Sequence, residues 1–179
     1  FTRSEHPMMV FDRDGNFLRS WGEGVFKHAH GLHMGPDECI YCTDDGDHTV
    51  RKCTLDGKVL LTIGTRGYRS DTGAGEMIYG YKILTHPGGP FNLPTDLAFN
   101  ESGDLFISDG YANCQVHRFS PDGKHLYSWG APGSGPGQFK LPHGIWIDRR
   151  GRVLVADREN DRVQVFTQAG EFITQWPTE

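Results

Sequence analysis

The stretch that decides the fold runs from Pro142 to Phe166, PHGIWIDRRGRVLVADRENDRVQVF. A histidine opens it, and Ile145 and Ile147 then alternate with Trp146 and Asp148, the two-residue period of a half-buried strand. Arg149 to Arg152 turns the chain, Val153, Leu154 and Val155 make a second strand, and the charged run Asp157 to Arg162 turns it back. Val163, Val165 and Phe166 supply a third strand, and after Gln168 to Gly170 a fourth follows over Phe172 to Trp176. Four short antiparallel strands joined by polar turns make one blade of a β-propeller.

Earlier parts of the chain repeat this stretch with altered residues. His30, Thr95 and His143 each stand 14 residues before an aspartate: Asp44, Asp109 and Asp157. From that aspartate to Val50, Val116 and Val163 the interval is six, seven and six residues, so the middle copy carries one extra residue in its turn. Phe11, Cys53, Phe119 and Phe166 each precede a glycine by four residues, Gly15, Gly57, Gly123 and Gly170. The spacing predicts an all-β chain, with the outer half of a blade over 1–22 and blades over 30–64, 95–130 and 143–177. That amounts to about three and a half blades of an expected six, and a propeller closes only as a full ring of typically about four to eight. Missing blades of a longer chain would complete the ring, or alternatively another copy; both ends fall inside the repeat, which favours the longer chain.

Composition agrees with this reading. The 179 residues are enough for a sizeable core, and 24 glycines with 10 prolines favour short strands and turns over helices. A formal charge of −5 argues against a nucleic-acid partner, whose phosphates need a basic face. No apolar run approaches the ~18–20 residues that span a bilayer, so no membrane partner is expected. The chain opens at Phe1 without a signal-peptide pattern, and the compartment stays unassigned. Cys39 and Cys42 form a CxxC, but inside an expected strand and without a second pair to complete a zinc set. Cys53 stands where other copies have phenylalanine and reads as a buried apolar residue. The connection over 65–93 is long for a compact domain, and two readings of it are open: a lid or rim, or a surface excursion.

Inner strands of a propeller converge on its axis, so residues at one blade position face a common point although far apart in sequence. His30 and His143, two blades apart, can therefore share a metal, and neutral imidazole suits zinc. The competing reading has each histidine capping its strand through backbone. Thr95 fills the intermediate slot and is no ordinary zinc ligand, while Asp96 is either an acceptor behind a ligand or a turn residue. His28, His30 and His33 read HxHxxH, yet on a strand His33 points away from the other two, so no local site is expected. Tyr111 sits in the lengthened turn beside Gly110. Either it acts as a base, which needs a neighbouring cation because a phenol titrates near ~10, or it covers the loop. Arg158 holds the slot of Asp45 and Gly110, so the blade does not demand its charge. It either grips a carboxylate at two points or pairs with Glu159 or Asp161.

The pattern HGI, VLVADRENDRVQVF and G-x-F resembles the NHL repeat. Between Leu93 and Phe166 the segments LPTDLAFNESGDLFISDGYANCQVHRFSPDGK, PGQFKLPHGIWID and VADRENDRVQVF resemble the propeller of peptidyl-α-hydroxyglycine α-amidating lyase and its bacterial relatives. SDGYAN, PHGI and ADREN are the most specific parts, and the resemblance covers most of the chain. It implies a zinc-dependent carbon-nitrogen lyase acting on a small or peptide C-terminal substrate, splitting α-hydroxyglycine into a peptide amide and glyoxylate. His30 and His143 would be two of three zinc ligands, the third lying beyond Glu179. Tyr111 would take the substrate's hydroxyl proton, Arg158 and Arg3 would hold its carboxylate, and the carbonyl of Leu32 would bind a structural calcium. The alternative is a non-catalytic NHL-repeat module that holds a protein or small ligand on one face. RNA binding is a third reading, set aside by the acidic balance.

Overall fold

The computed structural model describes residues 6–75 and 79–178. Strands β1 (Met8–Phe11) and β2 (Phe17–Trp21) pair as a hairpin. β3 (Ala29–Met34), β4 (Ile40–Asp44), β5 (Thr49–Cys53) and β6 (Val59–Ile63) follow as a four-stranded antiparallel sheet in sequence order. A second such sheet holds β7 (Pro94–Phe99), β8 (Leu105–Asp109), β9 (Gln115–Phe119) and β10 (His125–Trp129). The short strands β11 (Ala131–Pro132) and β12 (Gln138–Phe139) pair in parallel in the connection that follows. A third four-stranded sheet comprises β13 (Pro142–Ile147), β14 (Val153–Asp157), β15 (Arg162–Phe166) and β16 (Phe172–Pro177). Helix among the described residues is limited to two 3-10 turns, Gly80–Lys82 and Arg158–Asn160. None is long and apolar enough to cross a membrane.

The sheets bury apolar residues against their neighbours. Met8 and Trp21 of the hairpin pack on Cys42 and Cys53. Val50 and Ile63 meet Leu97, Leu105, Ile107 and Phe119 of the second sheet. Phe106 and Val116 meet Ile145, Val153, Val155 and Phe166 of the third, with Phe139 filling the same core. Each fully buried phenylalanine contributes roughly 1.5–3 kcal/mol of transfer free energy, so these inter-sheet layers hold successive blades together. All four cysteines are free, and burial pushes the Cys42, Cys53 and Cys114 thiols up, away from redox or metal chemistry.

Two of the repeated glycines have a packing cause. Gly57, at φ +94°, lies under the Trp21 ring of the preceding hairpin, where a Cβ would meet a ring carbon at 2.7 Å. Gly170, at φ +82°, lies under Trp129 in the same way, with a Cβ 2.9 Å from the ring. A side chain there would be strained by backbone and neighbour alike, so one blade's turn fits against the previous blade's aromatic.

Buried aspartates fix where each inner strand begins. Asp44 accepts the backbone N–H groups of Lys27 and His28, just before β3. Asp109 accepts that of Asn92, just before β7, and Asp157 accepts those of Lys140 and Leu141, just before β13. All three are fully buried, and a buried carboxylate is tolerated only when paired and hydrogen-bonded. Arg51 pairs with Asp44, His117 with Asp109 and Arg162 with Asp157.

Candidate functional site

Every inner strand starts with an irregular register. Ala29 pairs with Asp44, but the next paired residue, Leu32, faces Cys42, which leaves His30 and Gly31 in a bulge. Pro142 and Ile145 bracket His143 and Gly144 against Asp157 and Val155 in the same manner. At the middle blade the shift falls between Pro94 and Asp96, around Thr95. A bulge re-aims the side chain it carries. Here the aspartates described above hold the residues just ahead of it, so His30, Thr95 and His143 project from equivalent points of adjacent blades.

The two histidines meet at a phenol. His30 Nε2 and His143 Nε2 each lie 3.0 Å from the Tyr111 hydroxyl oxygen, and their ring centroids are 5.3 Å apart. His30 Nδ1 lies 2.7 Å from the Thr95 carbonyl oxygen. A carbonyl only accepts, so Nδ1 carries the proton and Nε2 presents its lone pair to the site. The phenol then donates its one proton to His30, and its oxygen accepts from His143. Burial, with His30 and Arg158 acting in the same direction, pulls His143 down to about 4, which keeps its imidazole neutral at ordinary pH.

Backbone and hydroxyl groups brace this cluster. Thr95 Oγ1 donates toward the Pro142 carbonyl at 3.0 Å and lies 2.9 Å from Ser108 Oγ, while Ser108 Oγ donates to the His143 carbonyl at 2.8 Å. Thr43 Oγ1 donates to the Thr95 carbonyl at 3.0 Å and accepts the Gly31 N–H at 2.7 Å. Gly110 packs so close to the Pro142 backbone that any Cβ would collide with it, which sets the turn that delivers Tyr111. Sequence reading assigned no role to this hydroxyl belt; hydroxyl residues in strands carry no signal until the sheets are placed.

The guanidinium carbon of Arg158 lies 5.6 Å from the Tyr111 ring centroid, and Arg158 Nε also bonds Glu159 at 3.1 Å. Of the two sequence readings of Arg158, the ion pair with Glu159 is the one present. Burial raises the Tyr111 phenol above its ordinary value, and Arg158 opposes that shift. Asp45, in the slot that Arg158 fills two blades later, is buried and bonded to His28 Nδ1. Burial pushes its carboxyl up, and its charge acts on Tyr111 in the opposite sense to Arg158. The shared slot was the signal for Asp45 in the sequence. Asp96 bonds neither candidate ligand: its Oδ1 accepts from His33 Nε2 at 2.7 Å and its Oδ2 from the Ile145 N–H at 3.2 Å. His28, His30 and His33 thus go to three different partners. Arg3 lies outside the described residues.

Catalytic zinc takes about three protein ligands, with Zn–N bonds near 2.0–2.1 Å. His30 and His143 fit two of those positions: their Nε2 atoms aim at one point, the Thr95 carbonyl holds His30 in the tautomer that presents its Nε2 lone pair, and His143 would present its own with the proton moved to Nδ1. No third His, Cys, Asp or Glu joins them among the described residues. The Leu32 carbonyl is a single oxygen where calcium takes about six to eight, and no acidic cluster among the described residues surrounds it. A cleft of about 950 Å³ lies at the opposite ends of the inner strands, beside Met34, Phe99 and Ile147, away from the histidines.

The NHL repeat family matches residues 139–166, which span the entry to β13 and its next two strands. The chain is a β-propeller that carries an NHL repeat over this span. Human NHL repeat-containing protein 3 is 32% identical over 179 aligned residues, covering 94% of this propeller and 48% of that protein. Peptidyl-alpha-hydroxyglycine alpha-amidating lyase 1 of Drosophila melanogaster is 30% identical, covering 90% of the propeller and 29% of that enzyme. A streptogramin B lyase structure superposes with a TM-score of 0.64 at 13% identity, over 94% of the propeller and 47% of that chain, and supports the fold alone. The propeller spans about half the length, or less, of the relatives it matches.

Proposed function

We propose that the propeller carries part of the active site of a lyase that cleaves a peptidyl-α-hydroxyglycine into a peptide amide and glyoxylate. The observation that carries the reading is the meeting of three blades at one oxygen: His30 Nε2 and His143 Nε2 on the Tyr111 hydroxyl, with Arg158 against the same ring. A relative named for this reaction, aligned over most of the chain, supports it.

His30 and His143 would hold zinc, with a further ligand from outside the described residues. When bound, zinc would polarise the substrate oxygen and favour the phenolate of Tyr111. Arg158 grips the substrate carboxylate and lowers the cost of deprotonating the phenol beside it. Tyr111 accepts the hydroxyl proton. As it does so, the carbon-oxygen bond becomes the aldehyde carbonyl of glyoxylate and the carbon-nitrogen bond breaks toward nitrogen. The proton then passes from Tyr111 to that nitrogen, which completes the amide and restores the phenolate. No water or redox partner is consumed. A structural calcium at the Leu32 carbonyl would draw its other oxygens from elsewhere.

The test is zinc content together with glyoxylate release from a peptide ending in α-hydroxyglycine. His143→Ala should lose both. Tyr111→Phe should keep zinc and lose roughly 10²–10⁴-fold in rate, the range of a general base. A His143→Ala protein that matches wild type in metal and turnover would end the lyase reading. The competing reading, a non-catalytic binding module, is favoured by NHL repeat-containing protein 3, whose name carries only the repeat. It predicts a surface ligand whose capture survives both substitutions.

A further inference from the structure

The long connection between the first two four-stranded sheets encloses a polar pocket of about 360 Å³, lined by Tyr68, Ser70, Asp71, Thr72, Gly75 and Asn92 together with Arg69. Two buried polar atoms of its lining residues have no partner among the described residues. Asn92 is 2% exposed; its amide nitrogen donates to the Ser70 carbonyl at 3.1 Å and to Thr72 Oγ1 at 3.2 Å, and its Oδ1 accepts nothing. Ser70 is 6% exposed, and its Oγ bonds nothing. A buried polar atom left unpaired costs about 1–3 kcal/mol, so two of them beside one cavity point to an occupant that bonds both.

Their chemistry is complementary to one kind of group. Asn92 Oδ1 only accepts, and Ser70 Oγ can donate. A peptide unit offers one N–H and one C=O, which is that pair reversed. The pocket is also tied to the site. Thr72 Oγ1 donates to the carbonyl of Ala112 at 2.7 Å, and Ala112 follows Tyr111 in the chain. The Tyr81 N–H donates to the Tyr111 carbonyl at 2.9 Å, and Asn113 Nδ2 donates to the Gly88 carbonyl at 3.2 Å. The connection is therefore built onto the turn that carries the phenol.

We propose that this pocket is a subsite for the peptide chain preceding the reacting residue, binding a backbone amide through Asn92 Oδ1 and Ser70 Oγ. The inference rests on the lyase reading of the site. Ser70→Ala is the clean probe, because Ser70 Oγ bonds no described group and its removal leaves the fold's own hydrogen bonds intact; an unchanged thermal midpoint checks this. Dissociation constants are measured for a hexapeptide ending in α-hydroxyglycine and for benzoyl-α-hydroxyglycine, which lacks the upstream chain. Wild type should bind the hexapeptide more tightly, and Ser70→Ala should weaken that probe roughly three- to tenfold, the range of one hydrogen bond, while leaving the short probe unchanged. Equal binding of both probes by wild type, or an unaltered hexapeptide constant in the variant, would mean that the pocket holds water only and would overturn the subsite while sparing the lyase reading. Binding of neither probe would remove both.

Discussion

Asp109 in the middle blade and Asp157 in the next are buried in the same slot and hold the entry to their inner strands in the same way, yet the residues a few positions from each differ in kind. The middle blade puts Thr95 at the axis and spends its extra turn residue on Tyr111; the next blade puts His143 at the axis and Arg158 in the turn. Thr95 presents nothing to a ligand. Its carbonyl orients His30 and its hydroxyl reaches Pro142 and Ser108, so it braces histidines that belong to its neighbours. The first blade adds a third variation, Asp45 bonded to His28. Repeats that agree in the buried slot and disagree at the rim separate what the fold requires from what the site uses.

The largest expected effect comes from breaking the shared slot. Asp109→Ala strips the acceptor from the Asn92 N–H, from Asn113 Nδ2 and from His117 Nε2, all buried. Removing one partner of a buried, hydrogen-bonded pair costs about 3–5 kcal/mol, and Asp157→Ala should cost a similar amount through Lys140, Leu141 and Arg162. Asp12→Ala, in the exposed turn of the hairpin, should leave the urea midpoint close to wild type. If the two buried aspartates prove no more costly than Asp12, the shared slot is not what fixes the inner strands.

A smaller effect separates the supporting blade from the presenting ones. Thr95→Val keeps the backbone carbonyl that orients His30 but removes the hydroxyl between Pro142, Ser108 and their strands. About 1–3 kcal/mol of stability should be lost, the cost of buried groups left without a partner, while zinc content stays at the wild-type level. His143→Ala should do the reverse, losing metal with a milder change in stability. A Thr95→Val protein that loses zinc in step with stability would show that the threonine takes a direct part in the metal site.

The spacing of His30, Thr95 and His143 to their aspartates was readable because a propeller repeats a buried requirement at a fixed interval, and strands alternate with period two. The meeting of His30 and His143 followed from that symmetry. The bulges that aim them did not, because an extra strand residue leaves no mark in composition. Tyr111 was picked out by the lengthened turn in which it stands beside Gly110, but its contact with both imidazoles depends on how Gly110 packs against Pro142, two sheets' worth of geometry away from any local pattern. The 65–93 connection was the least legible. Its glycines announce turns without saying what the turns face, and its tie to the Tyr111 turn rests on the Thr72 hydroxyl and the Tyr81 N–H donating to backbone carbonyls, which no local pattern encodes.

The smallest expected effect tests how the first blade is joined to the middle one. His48, in the turn between β4 and β5, accepts the Leu93 N–H on Nδ1 at 3.1 Å, just before β7. That bond needs an unprotonated Nδ1. Burial holds the imidazole below its ordinary value, with Lys27 and Arg69 adding to the shift and Asp109 and Asp47 opposing it. A histidine depressed in the folded state binds fewer protons there than in the unfolded chain. Its contribution is therefore complete above the unfolded value, ~6.5, and is lost as pH falls through the folded one. His48→Asn supplies an acceptor that does not titrate, and asparagine tolerates the positive φ of +63° found at this position. The two proteins should have similar urea midpoints at pH 7.5, and wild type should fall further than the variant by pH 5. His143, also depressed, acts in the same direction but is common to both proteins, so it cancels in the difference. Parallel decline of the two midpoints would mean that the Leu93 bond contributes nothing that protonation can remove.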